Sequence, residues 1–371
     1  MDCFFRLSHA AFHLPASLLS SLIAVVILAG LGFNNNNALA ATTVRVGTTN
    51  SISDATFFIA DKKGYFKEEG IEVTFIAFDS AANMIAPLGA DIYGIPTAGQ
   101  LDVGGGATSA GLYNAAARGI NIKIVADKGS MPPGYGFMSQ LVRKDLIDSG
   151  KFKSFKDLKG LKVGISANGS GGSVVLHEAL KKGGLKPKDV EQIFMGFPQM
   201  VLALQNKAID AAFMPEPNST QAIQSGAAVR FAGGDVIDPN HQLAVLLYGD
   251  DFSKNHPEVA RKFMRAYIRA ARDYNDALKD GRLAGANAEE IINILVQSTE
   301  IKNPNFYKMI VPHGCNPDGK VNETSLKKNL QIFKDQGLIK GDVSVEQVLD
   351  HSFADAVVKE LGHYVPKKQK K

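Results

Sequence analysis

Short β-type runs alternate with helical patterns from Val44 onward, and the same plan starts again about halfway along the chain. The buried run at 44–47 leads into a Thr/Asn/Ser loop and a helical pattern, and the run at 161–165 leads into a glycine-serine loop and another helical pattern. Such alternation is typical of βαβ units around a mostly parallel sheet. Two units of this kind predict an α/β protein with two lobes.

Two short segments support this internal repeat. Residues 204–212 resemble residues 99–104, and each segment runs into a predicted strand. The predicted strands after the first are at 71–78, 102–104, 122–126, 161–165, 190–197 and 209–213. The similarity is loose, so a coincidence between two unrelated βαβ units is the alternative explanation.

The chain becomes helical from Pro257, a residue suited to a first helical turn. Apolar residues at helical spacing predict one long amphipathic helix, with a face made of Val259, Phe263, Tyr267, Ala271, Tyr274 and Leu278. Further helices are predicted at 288–297, 323–336 and 345–361. Because this part shows no β pattern, we expect it to pack on the first lobe.

The first 40 residues have the pattern of a secretory signal peptide. An uncharged apolar stretch at 18–31 is shorter than the roughly 20 residues of a membrane-spanning helix. It is followed by an A-x-A-like cleavage site, which predicts export to the periplasm and cleavage near Ala40 and Ala41. A retained N-terminal anchor is the alternative, since Arg6 is the one positive charge at the start.

Cysteine and charge usage narrow the functional class. Removal of the leader takes Cys3 away and leaves Cys315 alone, so the mature chain cannot form an intramolecular disulfide. The formal net charge is +4, with Lys and Arg scattered among Asp and Glu, which argues against nucleic acid as a partner.

Motifs for cofactors and catalysis are absent from the sequence. There is no P-loop, the glycines at 169–172 lack the third glycine of G-x-G-x-x-G, and residues 164–168 miss the last glycine of G-x-S-x-G. His313 and Cys315 are the one close pair of metal-capable side chains, too few for a zinc site. We expect no cofactor, no metal and no catalytic residue.

Three loops of small polar residues follow predicted strands. In an open α/β sheet, ligands bind beyond the carboxyl ends of the strands, near helix N-termini. The candidate ligand-binding residues in these loops are Asn50, Ser51, Ser53, Asp54, Gly106, Thr108, Ser109, Ser166, Asn168, Ser170 and Ser173. The same residue types also cap helices, so capping alone is the alternative for any one loop.

Three further candidates lie near strand ends or the predicted lobe junction. Glu216 stands between two prolines that stiffen the backbone, and we expect its carboxylate to face the crevice and accept a hydrogen bond from the ligand. Tyr135 and Phe197 are candidates for an apolar floor under a carbon-bearing ligand. A solvated turn for Glu216, and core packing for the aromatic residues, are the alternatives.

The segment GYFKEEGI at 64–71 resembles the GYFKKEGL-type signature of the NMT1/THI5-like, or SsuA/TauA-like, periplasmic binding proteins of ABC importers. Further matching segments occur along the whole mature chain, and their order and spacing together are specific. They are GQLDV at 99–103, ARG at 117–119, DLKGLKVG at 157–164, IDAA at 209–212, Glu216-Pro217, DHSF at 350–353 and LGHY at 361–364.

The resemblance implies an α/β fold of type II periplasmic binding proteins, in which two α/β lobes close on ligand about a hinge and a helical C-terminal extension packs on lobe one. Carried over, residues 1–40 are the signal peptide, 44–133 begin lobe one, 134–233 form lobe two, and 234–371 complete lobe one with the C-terminal helices. The hinge candidates are 127–136 and 233–236.

The resemblance also implies a monomeric, non-enzymatic carrier that delivers a small-molecule ligand to an ABC transporter permease. The candidate loops carry hydroxyls and helix N-termini but no Arg or Lys, which favours a weakly anionic end such as a carboxylate or sulfonate. A thiamine-pyrimidine or riboflavin-like ligand, and a sensor without a transporter, are alternatives. Enzymes of this fold that make the thiamine pyrimidine use a Cys- and His-rich site, which this sequence lacks.

Overall fold

The computed structural model describes residues 41–89 and 99–367. The predicted signal peptide lies outside these residues. Within the two described ranges, no helix combines the length and the apolar character needed to cross a membrane.

The strands of the described chain are short and lie mostly in its first two thirds. They are β1 (Thr42–Thr48), β2 (Ile71–Ala77), β3 (Val103–Ala107), β4 (Lys123–Met131), β5 (Met138–Arg143), β6 (Lys162–Ile165), β7 (Glu191–Phe194), β8 (Ala211–Pro215), β9 (Ala228–Gly233), β10 (His241–Tyr248), β11 (Leu278–Lys279) and β12 (Arg282–Leu283).

The helices range from single turns to one helix of 20 residues. They are α1 (Ala55–Lys62), α2 (Tyr65–Glu68), α3 (Ile85–Leu88), α4 (Ala110–Ala117), α5 (Lys144–Asp148), α6 (Gly171–Lys182), α7 (Phe197–Gln205), α8 (Asn218–Gln224), α9 (Gly234–Ile237), α10 (Asp250–Asn255), α11 (Pro257–Asp276), α12 (Ala288–Ser298), α13 (Pro304–Met309), α14 (Glu323–Asp335), α15 (Val345–Val348) and α16 (Ser352–Leu361). Short 3₁₀ turns lie at Ile52–Asp54, Ala81–Met84, Phe155–Leu158 and Pro187–Asp189.

Two five-stranded sheets share one plan. The first sheet has the order β2-β1-β3-β10-β4, and the second has the order β7-β6-β8-β5-β9. In each sheet the first three strands are parallel, and the fourth is antiparallel to both of its neighbours. The two halves of the internal repeat therefore share one sheet topology. The mirrored segments 99–104 and 204–212 lead into β3 and β8, which occupy the same position in their sheets.

The chain crosses between the sheets twice. It passes from β4 to β5 through residues 132–137 and returns from β9 to β10 through residues 234–240. The two crossings touch, because the backbone N–H of Gly134 donates to the Asp235 carboxylate at 2.9 Å. The first part of the hinge candidate 127–136 belongs to β4, so the free connection is shorter than predicted.

Most of the C-terminal helices pack on helices of the first sheet, and α14 also contacts α6 of the second. Helix α11 lies against α1 and α16, and Phe263 and Tyr267 on its apolar face are fully buried. Of the predicted face, Val259 is partly buried, and Leu278 lies beyond the helix in β11.

The prediction of one helix at 345–361 is wrong, since the helix is interrupted between α15 and α16. The expectation of no β structure is also wrong, because β11 and β12 form a small hairpin around Asp280 and Gly281, both at positive φ. Asp-Gly is a typical sequence for such a turn.

Antiparallel strands were the main omission of the sequence prediction, which lacked β5, β9 and β10. The predicted strand 190–197 also ends early, at Phe194, and Phe197 begins α7. Gly196 precedes that helix in an extended conformation and Pro198 occupies its first turn, where proline is favoured.

Candidate functional site

A cavity of about 30 Å³, here called the inner cavity, lies where the carboxyl ends of strands from the two sheets meet. Its described lining residues are Thr49, Ser51, Ser53, Ser80, Ala81, Ala82, Gly106, Ala107, Thr108, Ser109, Phe137, Met138, Ser166, Ser170, Gly172, Phe197, Pro215, Leu243 and Ala244. None of them is charged. A space of this size holds one small chemical group.

The structure brings eight of the predicted site residues to this cavity. They are Ser51, Ser53, Gly106, Thr108, Ser109, Ser166, Ser170 and Phe197. Asn50 lines an adjoining space, described below. The structure places Asp54, Tyr135, Asn168, Ser173 and Glu216 outside the described lining of both spaces.

The loops after β1 and β3 form the first wall of the inner cavity. Ser51 accepts a hydrogen bond from the backbone N–H of Ser53, and the two hydroxyls lie 2.7 Å apart. Ser109 caps α4 by accepting from the N–H of Leu112 at 3.3 Å. These hydroxyls thus serve helix starts as well as lining the cavity.

A buried ion pair stands behind the first wall and was missed from the sequence. The Lys128 ammonium donates to the Asp54 carboxylate at 2.7 Å and to the Ser53 hydroxyl at 2.8 Å, and both charged side chains are fully buried. Burial lowers the pKa of Lys128, because the charged form has lost its water, while the nearby Asp54 opposes this shift. No sequence signal set Lys128 apart, because it follows the charged Asp127 just after the predicted strand 122–126.

The loop after β6 forms the second wall. The Ser170 hydroxyl is buried and has no hydrogen-bond partner among the described residues. Ser173 does not supply one, because its hydroxyl donates to the backbone carbonyl of Ser170 at 2.6 Å. Asn168 is exposed. A buried hydroxyl without a partner costs free energy, so Ser170 is a natural point for a ligand to bind.

Two backbone hydrogen bonds join the first wall directly to loops of the second sheet, one to the second wall and one to the turn after β8. The N–H of Ala110, at the start of α4, donates to the carbonyl of Gly169 at 2.8 Å, and the N–H of Ile52 donates to the carbonyl of Glu216 at 2.8 Å. Gly169 has a φ of +64°, and a Cβ there would lie 2.9 Å from the Cβ of Ala110. Glycine therefore permits both the turn and the close approach.

The Glu216 side chain does not face the crevice as we expected. Its carboxylate is fully buried and pairs with the guanidinium of Arg230. The backbone N–H groups of Thr220 and Val311 also donate to it, at 3.0 and 3.4 Å. These three donors hold the carboxylate inside the protein, which leaves Glu216 to fix the turn between β8 and α8.

Tyr135 lies in a separate groove of about 650 Å³, which Asp127 and Cys315 also line. Burial raises the pKa of Asp127 to about 6 and raises that of the Cys315 thiol. His313 is buried and stacks on Tyr274 with ring centroids 4.4 Å apart. The described ranges contain no group of three His, Cys, Asp or Glu side chains placed to hold a metal ion.

A larger space of about 400 Å³, here called the outer chamber, adjoins the inner cavity, and Thr49, Ser51 and Phe197 line both. Its remaining described lining is partly aromatic and carries two carboxylates. These residues are Asn50, Ile52, Phe58, Ala77, Phe78, Asp79, Pro198, Pro217, Asn218, Gln221, Leu295, Ser298, Thr299, Glu300, Ile301 and Tyr307. The contributions of α12 and α13 had no local sequence signal, because tertiary packing alone brings them to the chamber.

Sequence comparison relates the chain to a protein family and to a yeast enzyme. A model described as the NMT1-like family matches residues 37–296. The 4-amino-5-hydroxymethyl-2-methylpyrimidine phosphate synthase THI11 of Saccharomyces cerevisiae is 29% identical over 231 residues, which make up 58% of this chain and 62% of the yeast protein.

Solved structures share the fold. The periplasmic nitrate-binding protein NrtA from Synechocystis PCC 6803 superposes with a TM-score of 0.70 at 16% identity, covering 87% of this chain and 89% of that one. The ligand-binding component of an ABC-type import system from Staphylococcus aureus, with zinc bound, gives a TM-score of 0.68 at 14% identity, covering 85% and 99%. The predicted fold of type II periplasmic binding proteins, with two α/β lobes, is confirmed.

Proposed function

Because the chain belongs to the NMT1-like family, we propose that it is the solute-binding component of an ABC importer. In this role the two lobes close on a small organic molecule, which the protein delivers to the permease of the importer. A protein of the same fold is the ligand-binding component of such a system. The low identity to that protein means that its ligand is not carried over to this chain.

One observation carries the proposal. Loops from both sheets enclose a single cavity, and the buried Ser170 hydroxyl at that cavity has no partner. Native proteins satisfy nearly all buried polar groups, and a ligand that accepts or donates one hydrogen bond here would remove the deficit. The cavity lies between the two sheets, where closure of the lobes would grip a ligand from both sides.

The shape of the two adjoining spaces suggests the form of the ligand. A small hydrogen-bond-accepting end, such as a carboxylate or sulfonate, fits the hydroxyl-lined inner cavity. A carbon-bearing part fits the outer chamber, where Phe78, Phe197 and Tyr307 offer aromatic surface. An inorganic anion alone would leave this larger space without a function.

A heterocycle such as a thiamine-type pyrimidine is the second candidate ligand, and the yeast relative that makes a pyrimidine phosphate favours it. We propose binding without chemistry in either case. The described lining of the inner cavity contains no Cys, His, Lys, Asp or Glu, so the side chains that most often act as general acids and bases are missing there.

We place the protein outside the cytoplasm, on the strength of the predicted signal peptide. The protein is expected to work as a monomer, with the permease as its macromolecular partner. Both statements are part of the proposal, as are the lobe boundaries at 133/134 and 233/234 predicted from the sequence.

A thermal-shift screen of residues 41–371 tests the proposal. The compounds are sulfonates, aromatic and aliphatic carboxylates, pyrimidines and flavins. A ligand at a hundred times its Kd adds roughly 2.7 kcal/mol to the free energy of unfolding and raises Tm by several degrees. Failure of every class would overturn the proposal.

The variant Ser170→Trp places an indole where the inner cavity is, and it should abolish the Tm shift of any true ligand. Ser225→Trp is the matched control, since Ser225 is exposed and belongs to the same half of the molecule. An unchanged shift in Ser170→Trp would remove the inner cavity from the binding site. Loss of the shift in both variants would point to damage of the fold instead.

A further inference from the structure

The charged side chains among the described lining residues of the outer chamber are all acidic. The chain has a formal net charge of +4, yet Asp79 and Glu300 line this chamber, and no Lys, Arg or His is among its described lining residues. Asp79 follows β2, and Glu300 follows α12, so they reach the chamber from separate elements. The acidic character is therefore a property of the chamber and does not follow from the composition of the chain.

Neither carboxylate is paired with another described residue. Among residues 41–89 and 99–367, no cation lies within salt-bridge distance of Asp79 or Glu300, and neither accepts a hydrogen bond. Residues 90–98, which follow α3, contain no Lys, Arg or His that would supply a partner. Both side chains are exposed, so their charges attract a ligand cation only within about the Debye length, which is about 8 Å at physiological salt and within reach across the chamber.

The inner cavity offers no compensating positive charge. Lys128 contacts the cavity-lining Ser53, but its charge is already matched by Asp54. The first amide of α4 and the N–H of Ile52 are occupied by the carbonyls of Gly169 and Glu216. A purely anionic ligand would thus meet two carboxylates, and no Lys, Arg or His among the described lining residues of either space.

Two buried hydroxyls without partners mark the ends of the combined space. Ser170 lies at the inner cavity, and the Ser298 hydroxyl lines the outer chamber at the end of α12. Aromatic side chains lie between these polar ends, with Phe197 lining both spaces. One molecule with polar groups at both ends of an apolar spacer would match this arrangement.

We propose that the ligand carries a protonated amine, which Asp79 and Glu300 bind in the outer chamber while its hydrogen-bond-accepting end occupies the inner cavity. This inference rests on the proposed function and narrows it to amine-bearing organic solutes. In the sequence prediction, the Glu216 carboxylate was to accept a hydrogen bond from the ligand. Asp79 and Glu300 take over that role, because the Glu216 carboxylate is held by Arg230.

Matched compounds test the proposal by isothermal titration with residues 41–371. One series is 4-(aminomethyl)benzoate, 4-methylbenzoate and 4-(carboxymethyl)benzoate, which share a ring and differ in the charge at one end. A flexible series is 5-aminopentanoate, pentanoate and glutarate. The amine-bearing member of at least one series should bind about tenfold more tightly than its neutral-ended analogue, and the dicarboxylate should bind most weakly.

The variants Asp79→Asn and Glu300→Gln locate the amine. Each should weaken binding of the amine-bearing compound about tenfold and leave the affinity for the neutral-ended analogue unchanged. Glu72→Gln is the matched control, because Glu72 is an exposed carboxylate on β2 that lies outside both spaces. The control should bind every compound as the wild type does.

The outcomes separate this inference from the proposed function. If a monocarboxylate or dicarboxylate binds as tightly as the amine-bearing compound, the inference is overturned while the import role stands. Binding of the amine that Asp79→Asn and Glu300→Gln leave intact also overturns it. If none of the six compounds binds, the amine inference is overturned, and the broader ligand screen decides the proposed function by itself.

Discussion

The first wall of the inner cavity keeps its polar groups occupied, whereas the second wall leaves one open. In the first wall, Ser51 and Ser53 bond to each other, and Ser53 also accepts from the buried Lys128. In the second wall, the Ser170 hydroxyl is buried without a partner. We infer that the first wall is fixed before a ligand arrives, and that the second wall supplies the hydrogen bond that the ligand completes.

The largest effect is expected from the ion pair of the first wall. Lys128→Met leaves the Asp54 carboxylate buried without its cation, so the free energy of unfolding should fall by about 3–5 kcal/mol. Urea denaturation measures this. The double variant with Asp54→Asn removes both charges and should recover part of the loss. If the single variant is as stable as the wild type, the first wall is not organised by this pair.

Removal of one hydroxyl from each wall should affect protein stability and ligand affinity differently in the two walls. Ser53→Ala takes an acceptor from a buried ammonium and should cost about 1.5–3 kcal/mol of stability, whereas Ser170→Ala should change it by less than about 0.5 kcal/mol. The ligand affinity should respond in the second wall, falling about tenfold in Ser170→Ala. Equal losses of stability in the two variants would contradict the comparison.

Low pH should distinguish the uncharged hydrogen bonds at the inner cavity from a charged contact elsewhere in the protein. Lys328 on α14 donates to Asp238 at 2.7 Å and pairs with Glu178 on α6 at 2.9 Å. Burial raises the pKa of Asp238, but hydrogen bonds and charges from His241 and Lys328 outweigh burial and lower it to about 2. The backbone bonds between the walls carry no titratable group.

The sign of the pH effect follows from this lowered pKa. The ionised Asp238 stabilises the fold fully above its unfolded pKa of about 4, and this contribution is lost as the pH falls toward 2. Asp238→Asn should therefore cost about 1 kcal/mol at pH 7 and about a third of that at pH 2.5, as urea denaturation at both values would show. Asp342→Asn, at an exposed carboxylate, is the control. A pH-independent cost would contradict the charged contact.

Much of the fold was predictable because local patterns encode it. The parallel strands were found from buried runs followed by glycine- and serine-rich loops, and helix α11 from the spacing of Phe263, Tyr267 and Tyr274. Strands β5, β9 and β10 were missed, since each depends on a distant partner in its sheet. The break between α15 and α16 was missed because the apolar spacing continues across it.

The candidate site was predictable in part for the same reason. The loops after β1, β3 and β6 follow their strands directly, so their hydroxyls could be placed at one sheet edge. Lys128 and Tyr307 reach the site through tertiary packing, and nothing in their sequence neighbourhood sets them apart. Asp79 directly follows the predicted strand 71–78, but it was not among the predicted candidates. Glu216 was misplaced because the sequence does not show that Arg230 lies within bonding distance of its carboxylate.

A crystal structure with the compound that raises Tm most in the ligand screen tests the central claim most directly. The account predicts that this compound lies between the two walls, with a polar atom within 2.5–3.2 Å of the Ser170 hydroxyl oxygen and its apolar part against Phe197. A compound bound in the groove at Tyr135, with the inner cavity unchanged, would contradict the account.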